Sequence, residues 1–276
     1  MTKDRIASLD GVRGIAITLV VLQHARLTLP PVPLLRDLLW PVADGHLGVS
    51  VFFVLSGYLI TRIMRTEHER TGTVSLRSFY FRRAFRILPA YFAFLSIMFL
   101  ARHFGGLSIS DKEFLGAASF TRNYVPPDLK PWWLAHCWSL SVEEQFYLAW
   151  PLAISFIGLR RGAWLAVALV LSGPLVRVAS YLLLPQWRGV KGLDTSFDVL
   201  MTGCALALLE GLPRFESLLG KILQRWVLLL APLALISCRL INDKAPFGTQ
   251  FTFLFGITIE NVAIMLLIAW IIRKPA

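Results

Sequence analysis

Residues 9–24 read LDGVRGIAITLVVLQH and place two basic side chains at the ends of an apolar run. Arg13 stands at its start and His24 at its end. An apolar run of this kind predicts a membrane span, which needs roughly 20 mainly apolar residues. Ionisable groups at bilayer depth are costly to keep, so they mark functional sites by default. The stretch therefore predicts a membrane helix whose ionisable residues, Arg13 and His24, belong to a functional site.

A second informative stretch, residues 137–147, reads CWSLSVEEQFY and opens another apolar run. Ser141 and Glu144 have the spacing of a capping box, which predicts a helix start at the external end of a span. That interpretation gives Glu144 a structural role. Glu143 points about 100° away around the helix and lacks this role, so it is the better catalytic candidate.

The whole chain is rich in runs of this kind. It is 56% hydrophobic and only 16% charged, against about 25% charged in a soluble domain. We expect an all-α polytopic membrane helix bundle, in a single domain over residues 1–276, with about eight transmembrane helices. Their predicted ranges are 12–29, 46–63, 86–104, 139–159, 162–184, 196–212, 226–241 and 250–272.

The charge distribution predicts orientation. Of the 28 lysines and arginines, seventeen fall in one set of loops, ten in the other, and Arg177 lies within a span. The positive-inside rule then places both termini in the cytoplasm and residues 105–138 outside an inner (plasma) membrane. The same rule explains most of the net charge of +11, so no nucleic-acid partner is expected. In the external loop, Ser110 and Glu113 predict a capped short helix.

The three cysteines, Cys137, Cys204 and Cys238, show no metal-ligand spacing and no disulfide framework. We expect no metal site.

Arg13 and His24 are eleven residues apart, close to three helical turns, so they project from nearly the same face about 16 Å apart. Such a pair could bracket an elongated substrate with an anionic head and a reactive tail. The alternative is an interfacial arginine and a hydrogen-bonded core histidine.

Three arginines, Arg82, Arg83 and Arg86, end the densest basic block of the chain. Their i,i+3 and i,i+4 spacings put them on one side of a helix, with Pro89 expected near its start. Guanidinium groups suit phosphate binding, so the cluster predicts a cytoplasmic anion site. Ordinary positive-inside bias is the alternative.

Two further positions bear on helix geometry. Ser56-Gly57 in the second span allows a close approach, for which packing against another helix is the favoured explanation. Pro151 is expected to kink the fourth span.

Four motifs, in this order along the chain, resemble the acyltransferase-3 family of integral membrane O-acyltransferases. Any one alone would be weak, but four in order across residues 9–151 are highly specific. They are LDGVRG (9–14) with His24, GVSVFFVLSGYLI (48–60), RRAFRILPAY (82–91) and WSLSVEEQFYLAWP (138–151).

The resemblance implies an enzyme that moves an acyl group, typically acetyl, from cytoplasmic acyl-CoA to a sugar hydroxyl of a cell-surface or lipid-linked glycan. It implies that His24 is essential and that Arg13 and the arginine cluster serve the acyl donor. Family members typically have about ten spans, so eight would make this a short member or one truncated at the C-terminus.

Two mechanisms stay open at this point. His24 could take the proton of the attacking hydroxyl as a general base, or accept the acyl group and pass it on; Glu143 would orient the imidazole or the hydroxyl. A proton-coupled transporter or lipid flippase and an inactive truncated homologue are the alternatives. Membrane lipid is expected around the helices, and the sequence leaves the acceptor sugar, the acyl chain and the oligomeric state open.

Overall fold

The computed structural model describes residues 7–28, 44–125, 132–183 and 192–273. The secondary-structure elements among these residues are all helical, with no β-strand among them. The helices are α1 (Ala7–Thr28), α2 (Gly45–Thr71), α3 (Leu76–Phe104), α4 (Asp111–Ala118), α5 (Cys137–Leu183), α6 (Leu193–Leu209), α7 (Pro213–Ile222), α8 (Val227–Lys244), α9 (Gly248–Phe251) and α10 (Ile257–Arg273), with 3₁₀ turns at Arg122–Tyr124 and Trp132–Leu134 and a π turn at Thr252–Gly256.

Fewer helices than expected meet the requirements of a membrane span. In the described residues four do so by length and composition: α2, α3, α5 and Gly248–Arg273. The count rises to five if α6 and α7, which meet at 116°, form one bent span. The expected all-helical membrane fold is confirmed, but the count of about eight is not. Charged residues interrupt α1 and α8, and two predicted spans fall in the single helix α5.

Helix α5 is long enough for two spans but is broken in the middle. Its 47 residues would extend about 70 Å, against a hydrocarbon core of about 30 Å. Gly158 adopts φ 77°, ψ 164°, outside the helical region, a conformation that glycine tolerates because it has no Cβ. The break lies at Gly158, seven residues after Pro151, the position where the sequence predicted a kink.

The chain forms two compact units. The first combines Met1–Arg62, Ala163–Pro174 and Asp198–Ala276. Within it, α2 and α6 pack at two glycines: a Cβ on Gly57 would overlap the Leu200 carbonyl oxygen, and one on Gly203 would overlap that of Val54. The packing interpretation of Gly57 is therefore confirmed. In the same unit α8 packs on α10 through Val227, Ala231 and Ala263.

The second unit combines Ile63–Gly162 and Leu175–Phe197. Here α4 folds back along α3, and the contacts run in reverse order. Arg102 pairs with Asp111 at 2.5 Å, and the Tyr91 hydroxyl donates to the Ala117 carbonyl at 2.9 Å. Because Tyr91 is thirteen residues before the end of α3, the returning segment reaches about 20 Å along that helix.

Local signals explain some helix ends and not others. Ser110 caps α4 in a capping box with Glu113, as the sequence predicts. Helix α3 begins at Leu76, so Pro89 lies in its interior, and the prediction of a helix start near Pro89 is wrong.

Candidate functional site

Arg13 and His24 both lie on α1, so the helix that the spacing argument requires is present. The Arg13 Nη1 atom pairs with Asp10 Oδ1 at 3.1 Å, one turn earlier. This pair fixes the guanidinium at the start of the apolar run. His24 is partly buried, and its Nδ1 atom is shielded from solvent. Eleven residues at 1.5 Å place the two groups about 16 Å apart along the axis.

The three clustered arginines do not share one environment. Arg82 and Arg86 are exposed on α3, whereas Arg83 is half-buried. The Arg83 Cζ atom lies 4.6 Å from the centre of the Tyr147 ring on α5, and 6.0 Å from that of Phe79. A guanidinium over an aromatic face is stabilised by cation–π attraction. Arg83 is thus held against α5 within the second unit, whereas the side chains of Arg82 and Arg86 are open to solvent.

Glu143 and Glu144 lie close enough to Arg83 for electrostatic interaction. Both carboxylates are partly buried, and Glu144 Oε1 is buried without a hydrogen-bond partner among the described residues. A buried carboxylate oxygen without a hydrogen bond is costly, so the nearby positive charge of Arg83 is its main electrostatic compensation. The structure thus brings together two groups of candidates that are about 60 residues apart in sequence.

The predicted capping role of Glu144 is wrong. Helix α5 begins at Cys137, so Ser141 lies inside it, and its hydroxyl donates to the Cys137 carbonyl at 2.8 Å. Cys137 packs in the same core as Tyr91, and the Tyr80 hydroxyl donates to the Leu148 carbonyl at 2.9 Å. Helix α5 therefore starts halfway along α3 and runs back toward the basic end of α3, with Glu143 and Glu144 inside α5 rather than in its first turn.

Gln145 has a role that the sequence reasoning missed. Its Nε2 atom donates to the Phe120 carbonyl at 2.7 Å and to Asn123 Oδ1 at 3.0 Å. Phe120 has a positive φ of 54°, which is uncommon outside glycine. Gln145 therefore holds the turn after α4 against α5. The sequence signal that could have indicated this role is the position of the Gln145 amide directly after two glutamates in an apolar run.

A polar cavity of about 270 Å³ lies in the first unit, where the ends of α1, α2, α8 and α10 meet. We call it the helix-end cavity. Its ionisable lining residues are Arg26, Asp44, His46, Arg239, Asp243 and Glu260. Gln23 and Arg26, which flank His24, line it, but His24 does not. Sequence reasoning missed this cluster, although Glu260 in an apolar span was the same signal that singled out His24.

In the described residues no group of three or more His, Cys, Asp or Glu side chains could hold a metal ion. Cys137, Cys204 and Cys238 are free and buried. The available chemistry is that of imidazole, carboxylate and guanidinium groups in apolar helices. Such groups can move a proton and neutralise an anion, as group transfer to a hydroxyl requires.

Comparison with known proteins shows which family this sequence matches. The profile of the acyltransferase-3 family, described as an acyltransferase domain, matches residues 6–275. The peptidoglycan O-acetyltransferase OatA of Listeria monocytogenes is 30% identical over 225 residues, 73% of this chain and 33% of that protein. O-acetyltransferase OatA of Staphylococcus aureus is 31% identical over 225 residues, 73% of this chain and 34% of that protein.

This chain thus spans about a third of the length of these relatives. No solved structure matches it significantly. The match to the family profile covers nearly all of the sequence, including the four motifs and the candidate residues that they contain. The chain belongs to the acyltransferase-3 family of membrane O-acyltransferases.

Proposed function

We propose that this chain is a membrane O-acetyltransferase domain that moves an acetyl group from cytoplasmic acetyl-CoA to a hydroxyl of a cell-surface glycan. The observation that carries the proposal is the placement of His24 in α1, eleven residues after the Asp10-paired Arg13. Relatives named O-acetyltransferase support acetyl as the acyl group. The name of the Listeria protein, which specifies peptidoglycan, supports an amino-sugar glycan as the acceptor.

The acyl donor carries phosphates, and the exposed face of α3 supplies cations for them. Arg82 and Arg86 present guanidinium groups there, which bind phosphate through short charge-assisted hydrogen bonds. Arg83 would contact the same anion from its position over Tyr147, with Glu143 and Glu144 orienting its guanidinium. By the positive-inside argument this end of α3 faces the cytoplasm, where acyl-CoA is made. Arg13 would serve the donor at the cytoplasmic end of α1.

The transfer step balances without a further reactant. His24 takes the proton from the sugar hydroxyl while its oxygen attacks the thioester carbonyl carbon. The new C–O ester bond forms, the C–S bond breaks, and the imidazolium returns its proton to the leaving thiolate, which releases coenzyme A as a thiol. General-base assistance of this kind typically contributes 10²–10⁴-fold.

The orientation of the whole chain in the membrane follows from the cytoplasmic position of the basic end of α3. Both termini lie in the cytoplasm, the tip of the segment after α3 faces the outside of the plasma membrane, and lipid surrounds the apolar helices. Acetyl-CoA thereby reaches the basic end of α3, and the glycan approaches from the opposite side.

The proposal is tested by supplying radiolabelled acetyl-CoA to inside-out membrane vesicles that contain the chain. A soluble β-1,4-linked N-acetylglucosamine oligomer inside the vesicles serves as acceptor. We expect base-labile label in the oligomer together with stoichiometric coenzyme A release, and neither in vesicles lacking the chain. Oligomer transport without label transfer would indicate a transporter and contradict the proposal.

A further inference from the structure

The helix-end cavity holds a buried acid that the proposed transfer step does not use. Glu260 in α10 is 7% exposed, and its Oε2 atom lies 3.5 Å from Nδ1 of His46 at the start of α2. The His46 side chain is 42% exposed, so its ring connects the buried acid with the open part of the cavity. Carboxylates this deeply buried are rare unless paired.

The other carboxylates of the cavity are engaged in structural contacts. Asp44 Oδ1 accepts from the Leu47 backbone N–H at 2.9 Å and so caps α2. Its second oxygen pairs with Arg239 Nη1 at 3.3 Å, and Asp243 pairs with the Nε atom of the same arginine at 3.8 Å. Glu260 differs from both, because its partner is His46 rather than Arg239.

The composition of the lining favours a neutral polyhydroxyl ligand. Carboxylates only accept hydrogen bonds, guanidinium groups only donate them, and the amides of Gln23 and Asn242 do both. Sugar hydroxyls match all three because each both donates and accepts. Three carboxylates against two guanidinium groups disfavour a phosphate-bearing ligand such as coenzyme A.

Size and position narrow the ligand further. A volume of about 270 Å³ is just below the lower end of the roughly 300–1,000 Å³ range of small-molecule sites, so the cavity fits one sugar residue. Thr252, in the π turn before α10, lines it and has a buried hydroxyl without a hydrogen-bond partner among the described residues. The lining begins at Gln23, next to His24 in sequence.

We propose that the helix-end cavity is the acceptor site and binds one neutral sugar residue of the glycan, with Glu260 and His46 as acceptor-binding residues. This inference rests on the proposed O-acetyltransferase function. Glu260 accepts a hydrogen bond from a sugar hydroxyl, and His46 holds the Glu260 carboxylate in place. The cavity lies at the end of α1 opposite Arg13, the end that the proposed topology turns outward.

The first test is kinetic and uses Glu260→Gln and His46→Gln. We expect each to raise the KM for the N-acetylglucosamine oligomer about tenfold or more, because a hydrogen bond to a charged group is lost or weakened. The KM for acetyl-CoA should stay within about twofold of the parent value. Glu216→Gln is the matched control: Glu216 lies in the same unit, pairs with Arg273 at the surface and does not line the cavity. An unchanged oligomer KM in both variants would overturn the proposal, as would a rise confined to acetyl-CoA.

The second test needs no turnover. The oligomer should raise the thermal midpoint of the detergent-purified chain, as any ligand of the folded state does, and Glu260→Gln should remove that rise. The rise produced by coenzyme A alone should survive the substitution. If the parent chain transfers no acetyl group yet shows this sugar-dependent rise, the O-acetyltransferase proposal fails and the sugar site stands. If transfer occurs but Glu260→Gln keeps the full rise, the sugar site fails alone.

Discussion

The guanidinium carbon of Arg83 lies 4.6 Å from the centre of the Tyr147 ring, between a basic helix face and two partly buried glutamates. This contact joins the RRAFR motif of α3 to the VEEQFY motif of α5. It explains how Glu143 and Glu144 are kept in an apolar helix, since the cation of Arg83 lies within electrostatic reach of both.

We therefore expect Arg83 and Glu144 to be energetically coupled. In a double-mutant cycle of Arg83→Ala and Glu144→Ala, thermal unfolding in detergent should give a coupling of about 0.5–3 kcal/mol, the range for residues in one charged network. The pair of the exposed Arg82 with Glu67 of α2, at 4.0 Å, is the control and should give less than about 1 kcal/mol. Additive single effects at Arg83 and Glu144 would mean that the two groups do not stabilise each other.

The arginines of α3 are expected to serve the acyl donor. Arg83→Ala and Arg86→Ala should each raise the KM for acetyl-CoA, since each removes a charge-assisted contact worth about 1.5–3 kcal/mol. Arg160→Ala, at an exposed arginine outside the cluster, should change that KM by less than about twofold. The KM values of the variants are measured by steady-state kinetics over a range of acetyl-CoA concentrations. If saturating acetyl-CoA fails to restore turnover, these arginines do something other than bind the donor.

Helix packing in the first unit depends on two glycines. Gly57→Ala and Gly203→Ala each place a Cβ against a carbonyl oxygen of the facing helix, and overpacking typically costs about 1–3 kcal/mol. We expect a lower thermal midpoint for both. Gly220→Ala in α7, where a Cβ meets nothing within 4 Å, should be neutral or slightly stabilising, since alanine is the better helix former. Equal midpoints in all three variants would argue against the close α2–α6 contact.

The topology can be measured with cysteine labelling in intact cells. All three native cysteines are buried, so background labelling should be low. Ser108→Cys and Thr71→Cys place exposed thiols after α3 and before it. We expect an impermeant reagent to label position 108 and not position 71. The reverse pattern would invert the orientation and remove the argument for a cytoplasmic acyl donor.

Local chemistry predicted much of this fold. Apolar runs indicate most of the helices, and the Ser110–Glu113 box is a feature of four consecutive residues that the chain around it does not alter. Ionisable residues inside apolar runs singled out His24, Glu143 and Glu144 as candidates, and the density of the basic block singled out Arg83.

The remaining features depend on tertiary contacts. The sequence predicted that α5 starts at Ser141, with Ser141 as its N-cap. In the structure the Ser141 hydroxyl instead donates to the carbonyl four residues earlier, inside the helix. The position of Glu143 and Glu144 alongside α3 could not be predicted, because the segment after α3 folds back as far as Tyr91, a contact that no spacing rule contains. The helix-end cavity joins the ends of four helices spread over more than 200 residues, so its lining could not be assembled from sequence.

His24 is the proposed carrier of the acceptor hydroxyl's proton. His24→Gln and His24→Asn keep polarity and approximate size, but neither amide accepts a proton near neutral pH. The decisive measurement is acetyl transfer to the N-acetylglucosamine oligomer at matched membrane levels, with His68→Gln, an exposed histidine on α2, as control. We expect both His24 variants to insert normally and to lose at least about 10²-fold in transfer, while His68→Gln retains it. Near-normal transfer by either His24 variant would mean that His24 does not carry this proton.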